Sequence, residues 1–177
     1  MRSTASITVV MAGYGVEDEA RRDAAEAWAA RHDGEPHHTA IAVLTRDVRG
    51  CLRVERSNST AKHLAWGGAL LGGALLLFAP AAGAGLLTRV GLHGAGVIVE
   101  HFDQHLGRED VAGGTHLLRQ ARCAVVVVVV DDHEGAAAPV PRLADRTYRV
   151  SMPWGDLDEE LCWNRTDRPS FPARVPA

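Results

Sequence analysis

The chain has 177 residues, is 46% hydrophobic and carries a net charge of −3. That length supports one domain with an appendage and a sizeable core. The acidic balance argues against nucleic acid as a partner, because phosphate contacts need a basic surface.

Lys62 is the only lysine, so arginine supplies the rest of the basic charge. Cys51, Cys123 and Cys162 are odd in number and form no CxxC, which indicates neither a zinc knuckle nor a disulfide framework. The N-terminus lacks the basic segment and apolar run of a secretory signal, so a cytoplasmic setting is expected.

Ile7 to Met11 is β-branched and apolar and predicts a strand, ended by Gly13-Tyr14-Gly15. Val16 to Arg31 then turns helical, with Val16, Ala20, Ala24 and Trp28 on one face. Glu17, Asp18 and Glu19 suit the positive end of its dipole. Thr39 to Thr45 and Cys51 to Arg56 predict a hairpin through Arg46 to Gly50. Arg21, Arg22, Arg46, Arg49, Arg53 and Arg56 are interleaved with acids. They read as a solvated face rather than a lipid contact.

The segment from Leu64 to Val99 is the most apolar part of the chain and the richest in glycine, and Ala65 to Thr88 contains no charge. Pro80 cannot sit inside a regular helix, so two helices are expected, about 62–79 and 82–105. Gly67, Gly68, Gly72, Gly73 and Gly83 are spaced to let helix backbones approach closely, as in a glycine zipper. Such a hairpin either contacts the membrane or forms a buried oligomer core. Each charge-free arm is shorter than the roughly 20 residues that span a bilayer.

Glu109 to Gln120 is a poor helix on paper because of Gly113-Gly114. Val125 to Val130 predicts a strand apolar on both faces. Strand, helix, two strands, a helical region and a strand make an α+β chain of ferredoxin-like (split βαβ) plan, with the hairpin at 62–105 inserted. The domain is expected to end at Asp131. Residues 132–177 then form a Pro-rich extension, with Tyr148, Met152, Trp154, Leu161 and Trp163 as anchors on a neighbouring surface. In that plan the valine strand lies at the sheet edge and helices cover one face. Val126 and Val128 are therefore expected at a homo-oligomer interface.

His101 and His105 lie four apart on a helix, and a metal ion is one reading of them, with His93 or His116 as a further ligand. A polar helix end is the other. Cys51 and Cys123 read as small core residues. No catalytic signature is present, and no cofactor is expected.

Thr60-Ala-Lys-His-Leu-Ala-Trp-Gly-Gly68 and its Ala/Gly/Leu run resemble the bacterial domain of unknown function 1269 family. So do the D-x-x-G turn at Asp47 to Gly50, the acidic Gly107-Arg-Glu-Asp110 and the valine strand. The resemblance covers about Ile7 to Val130. It implies a membrane-associated protein of unestablished function and supplies no catalytic residues. The expectation is a non-enzymatic protein of structural or stress-related role, associated with the cytoplasmic membrane or self-assembling. The alternatives are a soluble cytoplasmic homo-oligomer docking a protein partner through its tail, and a metal protein using His101 and His105.

Overall fold

The computed structural model describes residues 5–30, 38–59, 64–90, 95–131, 141–155 and 157. The strands are β1 (Ser6–Tyr14), β2 (His38–Arg46), β3 (Leu52–Ser59), β4 (Cys123–Asp131) and β5 (Arg146–Pro153). The helices are α1 (Glu17–Ala29), α2 (Leu64–Phe78), α3 (Pro80–Val90), α4 (Ala95–His105) and α5 (Arg108–Gln120). The fold is α+β, with one antiparallel sheet in the order β3-β2-β4-β1-β5.

β4 lies between β1 and β2 and is antiparallel to both, so β1 and β2 are mutually parallel, joined by α1 and split by β4. The ferredoxin-like plan expected β4 at an edge, and this strand order departs from it. The physical reason is the composition of the strand. Val125, Val127 and Val129 face one side and Val126, Val128 and Val130 the other, and every one is buried. A strand apolar on both faces gains most at the sheet centre, where both faces are covered.

The cover comes from the chain itself. α1 lies over one face, with Ala20, Ala24 and Ala27 against Val10, Ile41, Val43 and Val127. The helices α2, α4 and α5 contribute Leu71, Ile98, Phe102 and Leu118 to the core on the other face. Val126 and Val128 are each 1% exposed, so they are not oligomer-interface residues of this fold. A sheet covered by helices on one face only would leave β4 bare on the other, and here α1 covers that second face.

α2 is apolar all round because its middle, Ala69 to Leu75, is buried on every side. Leu70, Leu71, Ala74, Leu75 and Phe78 are buried between the sheet and helices α3, α4 and α5. Pro80 is the first residue of α3, where its missing N–H costs no helical hydrogen bond. The second arm is two helices rather than one.

The division of the chain at Asp131 also fails. β5 pairs with β1 from Gly13↔Arg146 to Ser6↔Pro153. Beyond it, Trp154 donates its N–H to the Ala5 carbonyl at 2.8 Å. Val150, Met152, Trp154 and Leu157 are buried in the main core. The anchors of the supposed extension are core residues of this domain; Leu161 and Trp163 lie outside the described residues.

Candidate functional site

The apolar pair α2 and α3 is the feature that the sequence singles out, and its geometry is set by small residues. A Cβ on Gly72 would come within 2.6 Å of the Leu87 Cδ2. A Cβ on Gly83 would collide with the backbone of Leu76. These two contacts run in opposite senses along the helices, so α2 and α3 are antiparallel. Gly73 faces α4 instead, where Ile98 fills the space. Gly68 is half-buried, and the surroundings of Gly67 lie outside the described residues.

Among the described residues of α3, Pro80, Ala81, Ala84 and Thr88 are exposed and Gly85 is half-buried, while the side chains of Arg89 and Val90 lie outside the described residues. None of the four exposed residues is charged. The Thr88 hydroxyl donates to the Gly85 carbonyl at 2.8 Å, so even this polar atom is turned back onto its own helix. Leu76 and Leu77 at the end of α2 are half-buried. Among the described residues, no helix is long and apolar enough to cross a membrane.

The histidine pair sits elsewhere, at the end of α4. His101 is 6% exposed and its Nε2–H donates to the Pro153 carbonyl at 2.9 Å. His105 donates from Nδ1 to the His101 carbonyl at 2.9 Å. The rings stack with centroids 4.2 Å apart. Each imidazole therefore spends one nitrogen on a backbone carbonyl, and the two lie against each other rather than around a common point. No group of three or more potential metal ligands occurs among the described residues. His116 is exposed on α5, and His93 lies outside the described residues. This arrangement fits the polar helix end better than a metal centre: His101 fastens the exit of β5 to α4.

Two further polar clusters escaped the sequence reading, and a third sits at the turn it expected. Under α1, the Tyr14 hydroxyl donates to the Asp23 carboxylate at 2.9 Å, and the same oxygen accepts the Leu143 N–H at 2.8 Å. Burial first, and then the bond to Asp23, pushes the Tyr14 hydroxyl well above the usual phenol range. The cluster straps the segment entering β5 across α1. The sequence sets Asp23 apart from the Val16, Ala20, Ala24 and Trp28 face, yet in the structure it is buried with Ala20, Ala24 and Ala27 at i, i+3, i+4, i+7 spacing, the one signal that could have found it. An acid on an apolar helical face needs a partner, but nothing local says which.

At the far end of α5, the Arg46 guanidinium donates to the carbonyls of Leu118 at 3.0 Å and Ala121 at 2.8 Å, and also to those of Arg119 and Gly50. Helix C-termini leave carbonyls unpaired, and a cation there also meets the negative end of the dipole. Asp47 organises the β2–β3 turn. Its Oδ1 accepts the N–H groups of Arg49 and Cys51, and its Oδ2 accepts Arg53 Nε at 2.7 Å. The Arg53 bond and these backbone donors hold the Asp47 carboxyl below the usual carboxylate range. Gly50 closes the turn at φ +79°, as the D-x-x-G spacing requires. Cys123 is buried as expected, but Cys51 is exposed at this turn and is not a core residue.

No family model, curated protein or solved structure matches the chain. The resemblance described above therefore stands on its motifs alone.

Proposed function

We propose that the protein is a non-enzymatic, self-associating bacterial protein of structural or stress-related role, whose copies meet across the small-residue outer face of α3 between Pro80 and Thr88. One observation carries this reading. An exposed helix of a globular protein normally turns charged or polar side chains to water. Over residues 80–88, Pro80, Ala81, Ala84 and Thr88 instead give α3 a small, uncharged exposed surface, and Thr88 has no hydroxyl hydrogen left to offer. Small residues at this spacing let a second helix approach closely.

The polar groups support a structural role. His101, Asp23 and Arg46 each use their hydrogen-bonding atoms to fasten one element to another. The alternative of a soluble component docking a partner through its tail loses its main anchors to the domain's own core, since Met152 and Trp154 are buried there.

Light scattering of the purified chain, with and without detergent, tests the proposal. The expected result is an oligomer that persists without detergent and becomes a folded monomer in Ala84→Glu. A wild-type monomer in both conditions would overturn it.

A further inference from the structure

The strand register gathers the ends of β1 and β2 and the starts of β3, β4 and β5 at one end of the sheet. Tyr14 and Thr45 both pair with Cys123, Arg46 pairs with Leu52, and Gly13 pairs with Arg146. α5 also finishes there, tied down by Arg46. Two kinds of side chain collect in the connections at this end.

The first kind is apolar and faces water. Among the described residues, the large exposed hydrophobics are Val48 at 105%, Val16 at 52% and Leu143 at 36%. Val48 tips the β2–β3 turn, Val16 lies between β1 and α1, and Leu143 lies in the strap that enters β5. Single exposed apolar residues carry no message. Here all three belong to the connections of one end, and none lies elsewhere on the described surface.

The second kind is basic. Arg49 adjoins Val48, Arg142 adjoins Leu143, and Arg119 and Arg122 flank the junction of α5 with β4; all four are exposed. None of them takes part in an ion pair among the described residues. The carboxylates nearby are mostly engaged: Glu17 and Asp18 with Arg21, Asp47 with Arg53, and Asp145 with the Gly15 N–H, which leaves Glu19. Arg119 and Arg122 suit the negative end of the α5 dipole, which is a structural reason for them. It does not account for Arg49, Arg142 or the three apolar tips. In a chain of net charge −3, unpaired arginines beside apolar tips are a segregated pattern.

We propose that this end of the sheet docks on an anionic bilayer surface. Val16, Val48 and Leu143 enter the interfacial region, and Arg49, Arg119, Arg122 and Arg142 meet lipid phosphates. Arg49 thereby departs from the solvated face expected of it, since Arg21 and Arg53 are paired with acids and, among the described residues, it is not. Each basic residue close to an anionic leaflet strengthens partitioning by roughly fivefold. The apolar tips favour a bilayer over nucleic acid, because they gain nothing from a phosphodiester backbone. Base stacking needs an exposed aromatic ring, and no large exposed hydrophobic among the described residues is aromatic. Docking of this kind needs no spanning helix. It goes beyond self-association through α3 and does not rest on it.

The test is co-sedimentation of the full chain with phosphatidylcholine vesicles, with and without phosphatidylglycerol, across a salt series. The expected result is binding to the anionic vesicles alone, weakening as salt rises. Arg49→Glu combined with Arg122→Glu lowers it by about tenfold or more. Val48→Asp lowers it at low salt too. Arg108→Glu, at the opposite end of α5, leaves it unchanged. Thermal melts check that each variant is folded, and if the double variant is not, Val48→Asp decides alone because its side chain is fully exposed. Absence of binding, equal binding to phosphatidylcholine alone, or indifference to these substitutions would overturn the proposal. So would binding to duplex DNA in place of vesicles.

Discussion

Ile98 of α4 occupies the space that a side chain on Gly73 of α2 would need: a Cβ there would come within 2.5 Å of the Ile98 Cγ2. Alanine gains roughly 1 kcal/mol over glycine in a helix interior, so Gly73→Ala would be stabilising if the site were open. We expect the opposite. The overpacking cost of about 1–3 kcal/mol outweighs the propensity gain. In an Ile98→Ala background, which is itself destabilised by a cavity, Gly73→Ala should become neutral or favourable. A denaturant double-mutant cycle measures this coupling. Additive effects of the two changes would mean that the helices do not meet as described.

The two faces of β4 give a second test. Val126 packs under α2 and its neighbours, and Val127 under α1. Val126→Asp and Val127→Asp each bury an unpaired carboxylate and lose apolar burial of roughly 1.5–3 kcal/mol. Both should abolish the cooperative melt or lower its midpoint severely. If either gives a stable folded species of lower mass than wild type, that face of the sheet is an interface after all.

Tyr14 predicts how stability responds to alkali. Its folded pKa is raised, chiefly by burial, above an ordinary value of about 10. A raised folded pKa means that its contribution is complete below the unfolded pKa. It is lost as pH climbs from about 10 toward the folded value, because the unfolded chain releases the proton first. Wild-type unfolding free energy should therefore fall with pH above about 10. Tyr14→Phe should be less stable at neutral pH by about 1–3 kcal/mol, since Asp23 loses a donor. It should also show a shallower alkaline slope. Parallel slopes for the two proteins would refute the assignment.

Much of the fold was written in local pattern. The β1 strand, the amphipathic α1 with Ala20 and Ala24 inward, the β2–β3 turn at Asp47 to Gly50 and the valine strand all follow from period and turn chemistry. The misreadings came from information that is not local. Gly113 and Gly114 looked like helix breakers. In α5 the Tyr148 ring covers Gly113, while Met11 and Phe78 reach Gly114, so the glycines allow a close seat on β5 and β1. The apolar run at Leu64 to Phe78 suggests lipid or a second subunit as readily as a core. Periodicity records that α2 is enclosed, not by what. The tail failed for another reason. β5 alternates buried Val150 and Met152 with exposed Arg149 and Ser151, a strand pattern masked by the prolines on either side. The histidines were correctly paired in space, but their carbonyl partner, Pro153, lies 52 residues from His101 and no spacing announces it.

The last test concerns β5, because it decides where the domain ends. A chain cut after Glu134 keeps β1 to β4 and helices α1 to α5, and on a ferredoxin-like plan it would remain folded. In this sheet the cut strips the hydrogen-bonding partner from one whole edge of β1. It also removes Val150, Met152, Trp154 and Leu157 from the core, and with them the carbonyl that holds His101 and the Leu143 N–H that satisfies Asp23. Four apolar side chains at roughly 1.5–3 kcal/mol each come to about 6–12 kcal/mol. That is comparable with the entire stability of a typical domain, about 5–15 kcal/mol. The truncated chain should therefore show no cooperative thermal transition and should expose the flank of β1 to uncontrolled strand pairing, recovered as aggregate. Supplying residues 141–157 as a separate peptide should restore part of the far-ultraviolet circular dichroism, since the missing strand and its anchors lie within that segment. A truncated chain that melts cooperatively near the wild-type temperature would show that β5 is dispensable and that the core closes without it.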